Sequence, residues 1–432
     1  MANFQENFLQ LVWKYQYFDK NQLLTTRGTP VIVKKIGFHN FHEGPDFNES
    51  QVKLGELDHF GHIELHLKSS DWKAHSHHSD ERYNSVILHV VWEHDEEVER
   101  TDGTFIPTLE LKGKIFLDVV RNYERLISGK PDILCSEDLY QIEDIIKFSM
   151  LERALVERFI EKSKLVQGIL QATMGDWEET TYRWLFYSFG FKVNNKTMLK
   201  LATGLPYRLL KKQANQPLIQ EALVLGQAGL LKAAAHDDYT KFLQKEHHFH
   251  QKKYGLKNDI FPTEWKFMRV RPSNYPTIRL AQLAAILHKS PNLFSSILHE
   301  VTGIHTFKQQ LDFQISSYWQ YHYHLGKETS KKQGRELSPV ILNLLAINFL
   351  VPLWYAYGQF TADYKWQEKC FDLLQEIAPE ENRIINKFET HNWKAKNAFD
   401  TQGMIGLHNN YCMNKKCLDC KIGQNLLRPQ KA

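Results

Sequence analysis

The 432-residue sequence has no apolar run that approaches the roughly 20 residues needed to cross a bilayer. Its N-terminus also lacks a basic stretch followed by an apolar core, which a signal peptide would have. These absences predict a protein with no membrane contact and a cytoplasmic location. The sequence has no glycine-rich phosphate loop either, because GQAG at 226–229 is too short and falls inside a predicted helix. We therefore expect no nucleotide cofactor.

Cysteine is scarce, and neither sign of charge dominates. The five cysteines are an odd number in a large chain, which argues against a disulfide framework. The net charge of +4 permits a polyanionic partner such as nucleic acid but does not require one. The length exceeds that of one ordinary domain, so we expect two or three.

The spacing of apolar residues predicts an α+β fold. Alternating or continuous apolar strand patterns occur at 29–37, 51–57, 62–69, 85–94 and 106–113, flanked by helical patterns at 1–20 and 115–127. The run SVILHVVWEH at 85–94 has the composition of a central strand that is buried on both faces. These elements predict a mixed α/β domain at 1–135, in which helices flank a sheet.

From about residue 140 onwards the pattern becomes helical. Asp176 and Glu179 have the spacing of a capping box, and the polar stretch 321–336 is expected to be a mobile, solvated loop. We predict a larger all-α domain at 136–400 and a cysteine-rich, metal-binding segment at 401–432. The helical patterns lie at 142–171, 218–235, 277–290 and 338–358.

Acidic and histidine side chains are concentrated between residues 44 and 80. Alternation along the strand 62–69 places Glu64, His66 and Lys68 on one face. Asp46, in the preceding turn, could reach the same face. A carboxylate pair on adjacent strands can hold Mg²⁺ or Mn²⁺, which activates water. The alternative is an edge strand with a solvated polar face, in which Asp46 is an ordinary turn residue.

The loop that follows this strand has an H-x-H-x-x-D pattern formed by His75, His77 and Asp80. Imidazole and carboxylate groups are metal ligands, and the histidines could instead contact phosphate as cations. The alternative is a polar surface loop that is rich in histidine. His89, within an apolar run, is expected to be a core histidine or the partner of a ligand.

The order of these residues resembles the PD-(D/E)XK nuclease superfamily, with Pro45-Asp46, a hairpin and then Glu64-Leu65-His66. The resemblance implies a metal-dependent phosphodiesterase acting on nucleic acid, with Asp46, Glu64, His66 and Lys68 as catalytic residues. The chain departs from the family because His66 occupies the lysine position and Lys68 follows one strand repeat later. A non-catalytic nucleic-acid-binding or assembly protein on a degenerate nuclease-like core, or a small-molecule metallohydrolase, are the alternatives.

A wider set of motifs resembles an uncharacterised bacterial family of unknown function. The resemblance spans nearly the whole chain, implies no activity and supports the domain layout. The motifs that carry it are GPDF, G-x-I-E-x-H, S-S-D-W, H-x-H-x-x-D, Y-x-x-V-I-L-H-V-V and YC-x4-C-x2-C-x-I-G.

Three cysteines at the C-terminus, Cys412, Cys417 and Cys420, form a C-x4-C-x2-C pattern. This spacing predicts a structural metal, either Zn or a [4Fe–4S] cluster, with free thiols as the alternative. The fourth ligand could be Cys135, Cys370 or His408, and Cys135 would tie the chain end to the N-terminal domain. The spacing resembles the clusters of iron–sulfur nucleases of the RecB type and of some helix-hairpin-helix glycosylases.

The stretch 265–282 interleaves Arg269, Arg271 and Arg279 with aromatic residues. Such a combination can bind phosphates and stack on bases, so these arginines are candidate nucleic-acid contacts. The alternative is a structural loop whose arginines cap helices or pair with acids.

Overall fold

The computed structural model describes residues 4–129, 132–235, 237–257 and 259–429, which form two compact units. The first unit comprises Met1–Leu151, Asn386–Trp393 and Ile405–Ala432, and the second comprises Glu152–Ile385 and Lys394–Met404. A mixed sheet lies in the first unit and the second is predominantly helical. The α+β fold class is therefore confirmed. The first unit extends past residue 135 and includes most of the cysteine-rich segment.

The sheet of the first unit has the strand order β1-β3-β4-β5-β6, and β2 pairs with β3. The pairs β1–β3 and β3–β4 are antiparallel, whereas β4–β5 and β5–β6 are parallel. The central position predicted for the apolar run of β5 is confirmed. The strands are β1 Val31–Lys35, β2 Phe38–His39, β3 Phe47–Leu54, β4 Leu57–Lys68, β5 Val86–Glu93 and β6 Thr108–Glu110.

Eighteen α-helices occur in the described residues, joined by short 3-10 segments. In chain order they are α1 Glu6–Tyr15, α2 Asp71–Ala74, α3 Leu117–Ile127, α4 Asp144–Ala172, α5 Trp177–Phe189, α6 Phe191–Gly204, α7 Tyr207–Lys211, α8 Pro217–Gln227, α9 Asp238–Tyr254, α10 Pro276–Lys289, α11 Leu293–His299, α12 Ile304–Gln310, α13 Pro339–Leu345, α14 Val351–Thr361, α15 Lys365–Glu376, α16 Arg383–Glu389, α17 Ala398–Leu407 and α18 Lys421–Leu426.

The two faces of the sheet bury different kinds of side chain. Ile63 and Leu65 of β4 join the main core of the first unit, to which α1 contributes Phe8 and Val12. Glu64 and His66 alternate with them and lie on the opposite face. A smaller cluster that includes Trp72 forms a separate core. The sheet therefore has an apolar face and a buried polar face.

The Asp176 N-cap of α5 is confirmed, since its carboxylate accepts a hydrogen bond from the Glu179 backbone N–H at 3.0 Å. The Glu179 side chain does not turn back to the cap. It accepts instead from the Tyr207 backbone N–H at 2.9 Å and from Arg183 at 2.8 Å. Glu179, the second residue of the predicted capping box, therefore links α5 to α7.

The segment 321–336 is not simply the solvated loop that its polarity suggests. It contains a hairpin of β7 His322–His324 and β8 Lys327–Glu328, and Arg335 is 4% exposed. The Arg335 guanidinium donates to the carbonyls of Trp319 and His322 and lies over the Tyr323 ring. These bonds account for the burial of a charged side chain that we expected to be solvated.

One helical stretch, Pro339–Thr361, is long and apolar enough to cross a membrane. It corrects the expectation that no apolar run reaches that length. Of its most apolar window, 61% is buried inside the structure, as in a core helix of a soluble protein. The cytoplasmic location stays a prediction.

Candidate metal centre

The buried polar face of β4 carries the centre. Glu64 is 4% exposed and His66 is fully buried, because β4 lies between β3 and β5 and its polar face is covered. The edge-strand alternative does not describe this strand. Buried ionisable groups need partners, so the contacts of these two side chains define the site.

Asp46 and Glu64 hold each other in place through the backbone. The Asp46 N–H donates to Glu64 Oε2 at 3.0 Å, and the Leu65 N–H donates to Asp46 Oδ2 at 3.0 Å. The Gln10 side chain on α1 donates to Asp46 Oδ1 at 2.8 Å. The turn before β3 is thereby fastened to the middle of β4, as the sequence predicts for a carboxylate pair on adjacent strands.

Two histidines lie near the remaining oxygen of Glu64, and a third lies next to one of them. Glu64 Oε1 lies 3.3 Å from His77 Nε2 and 3.6 Å from His66 Nε2. His66 Nε2 lies 3.1 Å from His75 Nδ1. One ligand nitrogen from each of the three histidines falls within 4.8 Å of the other two, so the set could hold a metal ion. Asp46, Glu64 and the three histidines therefore bring the strand motif and the loop motif into one site.

Aromatic packing positions the histidine loop. Trp72 on α2 is fully buried and its indole N–H donates to the Glu99 carbonyl at 3.1 Å. The Trp72 ring meets His66 and His77 edge-on, and His77 stacks on Tyr83 at 3.7 Å between ring centroids. Trp72 and His77 are therefore packed against the sheet and neighbouring rings, while His75 is exposed at the outer side of the loop.

His89 on β5 is the nearest partner of His66. Its Nε2 lies 2.8 Å from His66 Nδ1, and His89 is fully buried. If His66 binds a metal through Nε2, its Nδ1 carries the proton and donates to His89. Such a hydrogen bond fixes the tautomer and the ring orientation of a metal-binding histidine.

Replacing His89 with alanine should weaken metal binding by about 10- to 100-fold, because His66 loses the group that orients it. Isothermal titration of the metal-free protein with Mn²⁺ would measure the change. His59→Ala, on the same β4 strand but outside the cluster, is the control and should bind as the wild type does. Equal affinities for the wild type and His89→Ala would show that His89 does not orient His66 for metal binding.

Burial and the repulsion between like charges disfavour the charged forms of the side chains at this centre. Burial raises the pKa of Asp46 and of Glu64, and their proximity adds to the rise for Asp46. Burial beside Asp46 also raises the pKa of Glu6, on α1, to about 7. The pKa of His66 falls to about 2, since burial and the neighbouring histidines disfavour its charged form. A bound cation would offset this accumulation of carboxylates among neutral imidazoles.

Two of the predicted residues lie apart from this cluster. Lys68 is exposed at the end of β4, near Glu93 and Asp95. Asp80 is engaged by the Arg82 guanidinium at 2.6 to 3.1 Å, and it also caps the short turn that contains Arg82. The structure thus brings together Asp46, Glu64, His66, His75 and His77.

The three candidate arginines of the second unit differ in exposure. Arg269 and Arg271 are exposed. Arg279 is 3% exposed, donates to Asn274 and Gln282, and lies over the Phe191 ring. Its guanidinium therefore serves the packing of α10 and is not presented to a ligand.

Sequence reasoning missed Glu6 and Gln10. The two are spaced four residues apart on α1, where side chains share a helix face, and both reach towards Asp46. The sequence did contain a signal for them. Both are polar residues, four apart, beside the apolar stripe of a predicted helix.

The cysteines form a second cluster inside the first unit. Cys135, Cys412, Cys417 and Cys420 line one small cavity, and burial raises the pKa of Cys135, Cys412 and Cys417 above the usual thiol range. Cys370 is buried in the second unit, where its thiol lies 3.5 Å from the Val351 carbonyl.

The fold and the two clusters define an α+β protein with a partly buried carboxylate–histidine centre. The chain belongs to the family described as "Protein of unknown function (DUF2851)", which matches residues 6–383. The predicted membership of an uncharacterised family is thereby confirmed. No curated protein and no solved structure matches the chain. The resemblance to PD-(D/E)XK nucleases stays a prediction.

Proposed function

We propose that the chain is a metal-dependent hydrolase, and specifically a phosphodiesterase that acts on nucleic acid. The observation that carries this proposal is the convergence of Glu64 Oε1 with His66 Nε2 and His77 Nε2, at 3.6 and 3.3 Å, beside Asp46 in a partly buried site. Carboxylate and imidazole ligands at such a site suit a divalent cation that activates water.

The mixture of ligands bears on the choice of metal. Mg²⁺ prefers oxygen ligands, whereas imidazole nitrogens suit Mn²⁺, Zn²⁺ and Fe²⁺ better. Of the predicted pair, Mg²⁺ or Mn²⁺, we therefore favour Mn²⁺. Glu64, His66, His75 and His77 would hold it, with Asp46 next to them. The metal would lower the pKa of a bound water, and the Glu6 carboxyl, with its pKa of about 7, suits proton transfer near neutral pH.

Exposed aromatic residues near Asp46 support a nucleic-acid substrate. Phe38 and Phe41 are 62% and 75% exposed, and the loop that carries Phe41 leads directly to Asp46. The Asn40 N–H donates to the Asp46 carbonyl at 2.7 Å, which ties this loop to the centre. Exposed aromatic rings can stack on unpaired bases regardless of sequence.

A second candidate is a small-molecule metallohydrolase. The interactions that shift the pKa values of Glu6, Asp46 and Glu64 come from other acids, histidines and backbone or amide groups. A lysine or arginine is not among them in the described part of the chain. Arg82 lies near His77, but its guanidinium is bound by Asp80 and Glu43. A polyanionic substrate would therefore depend largely on the metal, whereas a neutral substrate would not. A non-catalytic nucleic-acid-binding or assembly protein is the third reading.

Cleavage assays distinguish these three candidate functions. The full chain would be incubated with labelled single- and double-stranded DNA and RNA and with a chromogenic phosphodiester, each with Mg²⁺, Mn²⁺ or Zn²⁺. The proposal predicts cleavage of nucleic acid that EDTA abolishes. Cleavage of the chromogenic ester alone favours the small-molecule reading. Salt-dependent binding without cleavage favours the non-catalytic one.

The metal-free protein should lose stability as the pH rises from about 7 to 9, through the raised pKa values of about 8 for Asp46 and Glu64. The folded-state pKa values of Glu6, Asp46 and Glu64 are raised above their usual values. Above about pH 7 the buried histidines, whose pKa values are lowered, are neutral in both states. The three carboxyls still keep protons that the unfolded state has lost, so raising the pH favours unfolding. Thermal unfolding with EDTA should show a falling melting temperature, and Mn²⁺ should reduce the fall. A melting temperature that rises with pH in EDTA would contradict this account.

A further inference from the structure

The four cysteines of the first unit come from two parts of its chain that are distant in sequence, Cys135 and the segment 412–420. Cys135 opens the 3-10 turn Ser136–Gln141, Cys412 ends the π-helical turn His408–Cys412, and Cys420 caps α18. Each of the four thiols lies close enough to the other three for direct electrostatic interaction. They surround one cavity whose other walls are mostly apolar, including Leu139, Phe388, Trp393 and Leu407.

The surroundings favour these four ligands over the other candidates. His408 does not line the cavity, and its Nδ1 pairs with the Asn409 side chain at 3.1 Å. Cys370 belongs to the second unit. Gly423 allows the close turn, since a Cβ there would stand 2.1 Å from the Cys417 carbonyl oxygen. The backbone is thus shaped to bring α18 against the C-x2-C turn.

A single ion and a cluster require different distances between the ligand sulfurs. In a tetrahedral zinc site, Zn–S bonds of about 2.3 Å place the sulfurs about 3.8 Å apart. Among the described residues, the ligand set that converges within 4.8 Å is His66, His75 and His77, and no three cysteines do so. In an iron–sulfur cube each thiolate binds a different iron, so the sulfurs stand farther apart.

We infer that Cys135, Cys412, Cys417 and Cys420 bind a [4Fe–4S] cluster that holds the C-terminal segment within the first unit. The lining of the cavity is mostly apolar, so we assign the cluster a structural role. This inference is independent of the proposed hydrolase, because it concerns other residues and does not depend on Glu64 or the histidines.

Metal and sulfide analysis of the full chain, purified without oxygen, tests this inference. About four irons and four acid-labile sulfides per chain are expected, with a broad visible absorption band. Cys135→Ser and Cys417→Ser should each lose most of the iron and sulfide, and Cys370→Ala is the matched control that should retain both. Because cysteine variants can misfold, the wild-type stoichiometry is decisive by itself.

Zinc could also bind at the histidine centre. The cysteine variants are therefore needed to show which of the two sites holds any zinc that is found. Zinc in the wild type that disappears in Cys417→Ser, together with no sulfide, would overturn the cluster. So would the absence of iron and sulfide after anaerobic reconstitution with both. Full iron and sulfide in Cys135→Ser would overturn the ligand set.

Discussion

Replacing Glu64 with glutamine should lower metal-dependent phosphodiester cleavage on the order of 10³-fold, a loss comparable to the 10²–10⁴-fold contribution of general acid–base catalysis, because the cation that activates water loses its charged ligand. Glutamine keeps a carbonyl oxygen that can accept the Asp46 N–H but removes the charge that faces His66 and His77. The fold should therefore survive while metal affinity drops. Single-turnover cleavage and Mn²⁺ titration would measure the two effects.

The matched control is Glu56→Gln. Glu56 lies in the tight turn between β3 and β4, and its side chain is 94% exposed. Removing this charge from the same hairpin should leave both rate and metal affinity unchanged. Equal activity of Glu64→Gln and wild type, in every metal tested, would eliminate the proposed centre as the source of cleavage.

Replacing Trp72 with alanine should destabilise the first unit by about 3–5 kcal/mol, the usual cost of emptying a large buried aromatic site. Trp72 is fully buried, packs on His66, His77 and His89, and donates to the Glu99 carbonyl. Its loss removes the wall that holds the histidine loop. Urea unfolding followed by circular dichroism, with a parallel Mn²⁺ titration, would detect both lower stability and weaker binding.

Phe60→Ala supplies the comparison for this loss. Phe60 is an aromatic residue on β4 that is 72% exposed, so its removal should change the free energy of unfolding by less than about 0.5 kcal/mol. A Trp72→Ala protein with wild-type stability and wild-type metal affinity would show that the loop is positioned by other contacts.

Much of the first unit follows from side-chain periodicity. Alternation along β4 places Glu64 and His66 on one face, and the apolar run of β5 marks a central strand. The Asp46–Glu64 pairing was also foreseeable, because a turn next to a hairpin brings the two within reach. Local pattern suffices here because the period of a strand is strict.

Two kinds of contact could not be predicted from the sequence: those set by strand register, and those in which a neighbouring side chain already binds the candidate ligand. His89 meets His66 because β4 and β5 pair with Glu64 opposite His89, and periodicity does not reveal that register. Asp80 was a plausible ligand by type, but Arg82 lies two residues away and engages its carboxylate.

The helical unit shows the same limit. Arg279 was a candidate nucleic-acid contact with a structural role as the alternative, and Arg335 was expected to be solvated. Both are buried with hydrogen-bond partners. Burial of an arginine depends on acceptors supplied by distant segments, which composition does not show.

Anomalous diffraction from crystals soaked in Mn²⁺ tests the central claim most directly. The account predicts a peak within bonding distance of Glu64 Oε1, His66 Nε2 and ring nitrogens of His75 and His77, and no such peak in Glu64→Gln crystals soaked identically. A fully soaked wild-type crystal with no peak at these atoms, or with the same peak in Glu64→Gln, would contradict it.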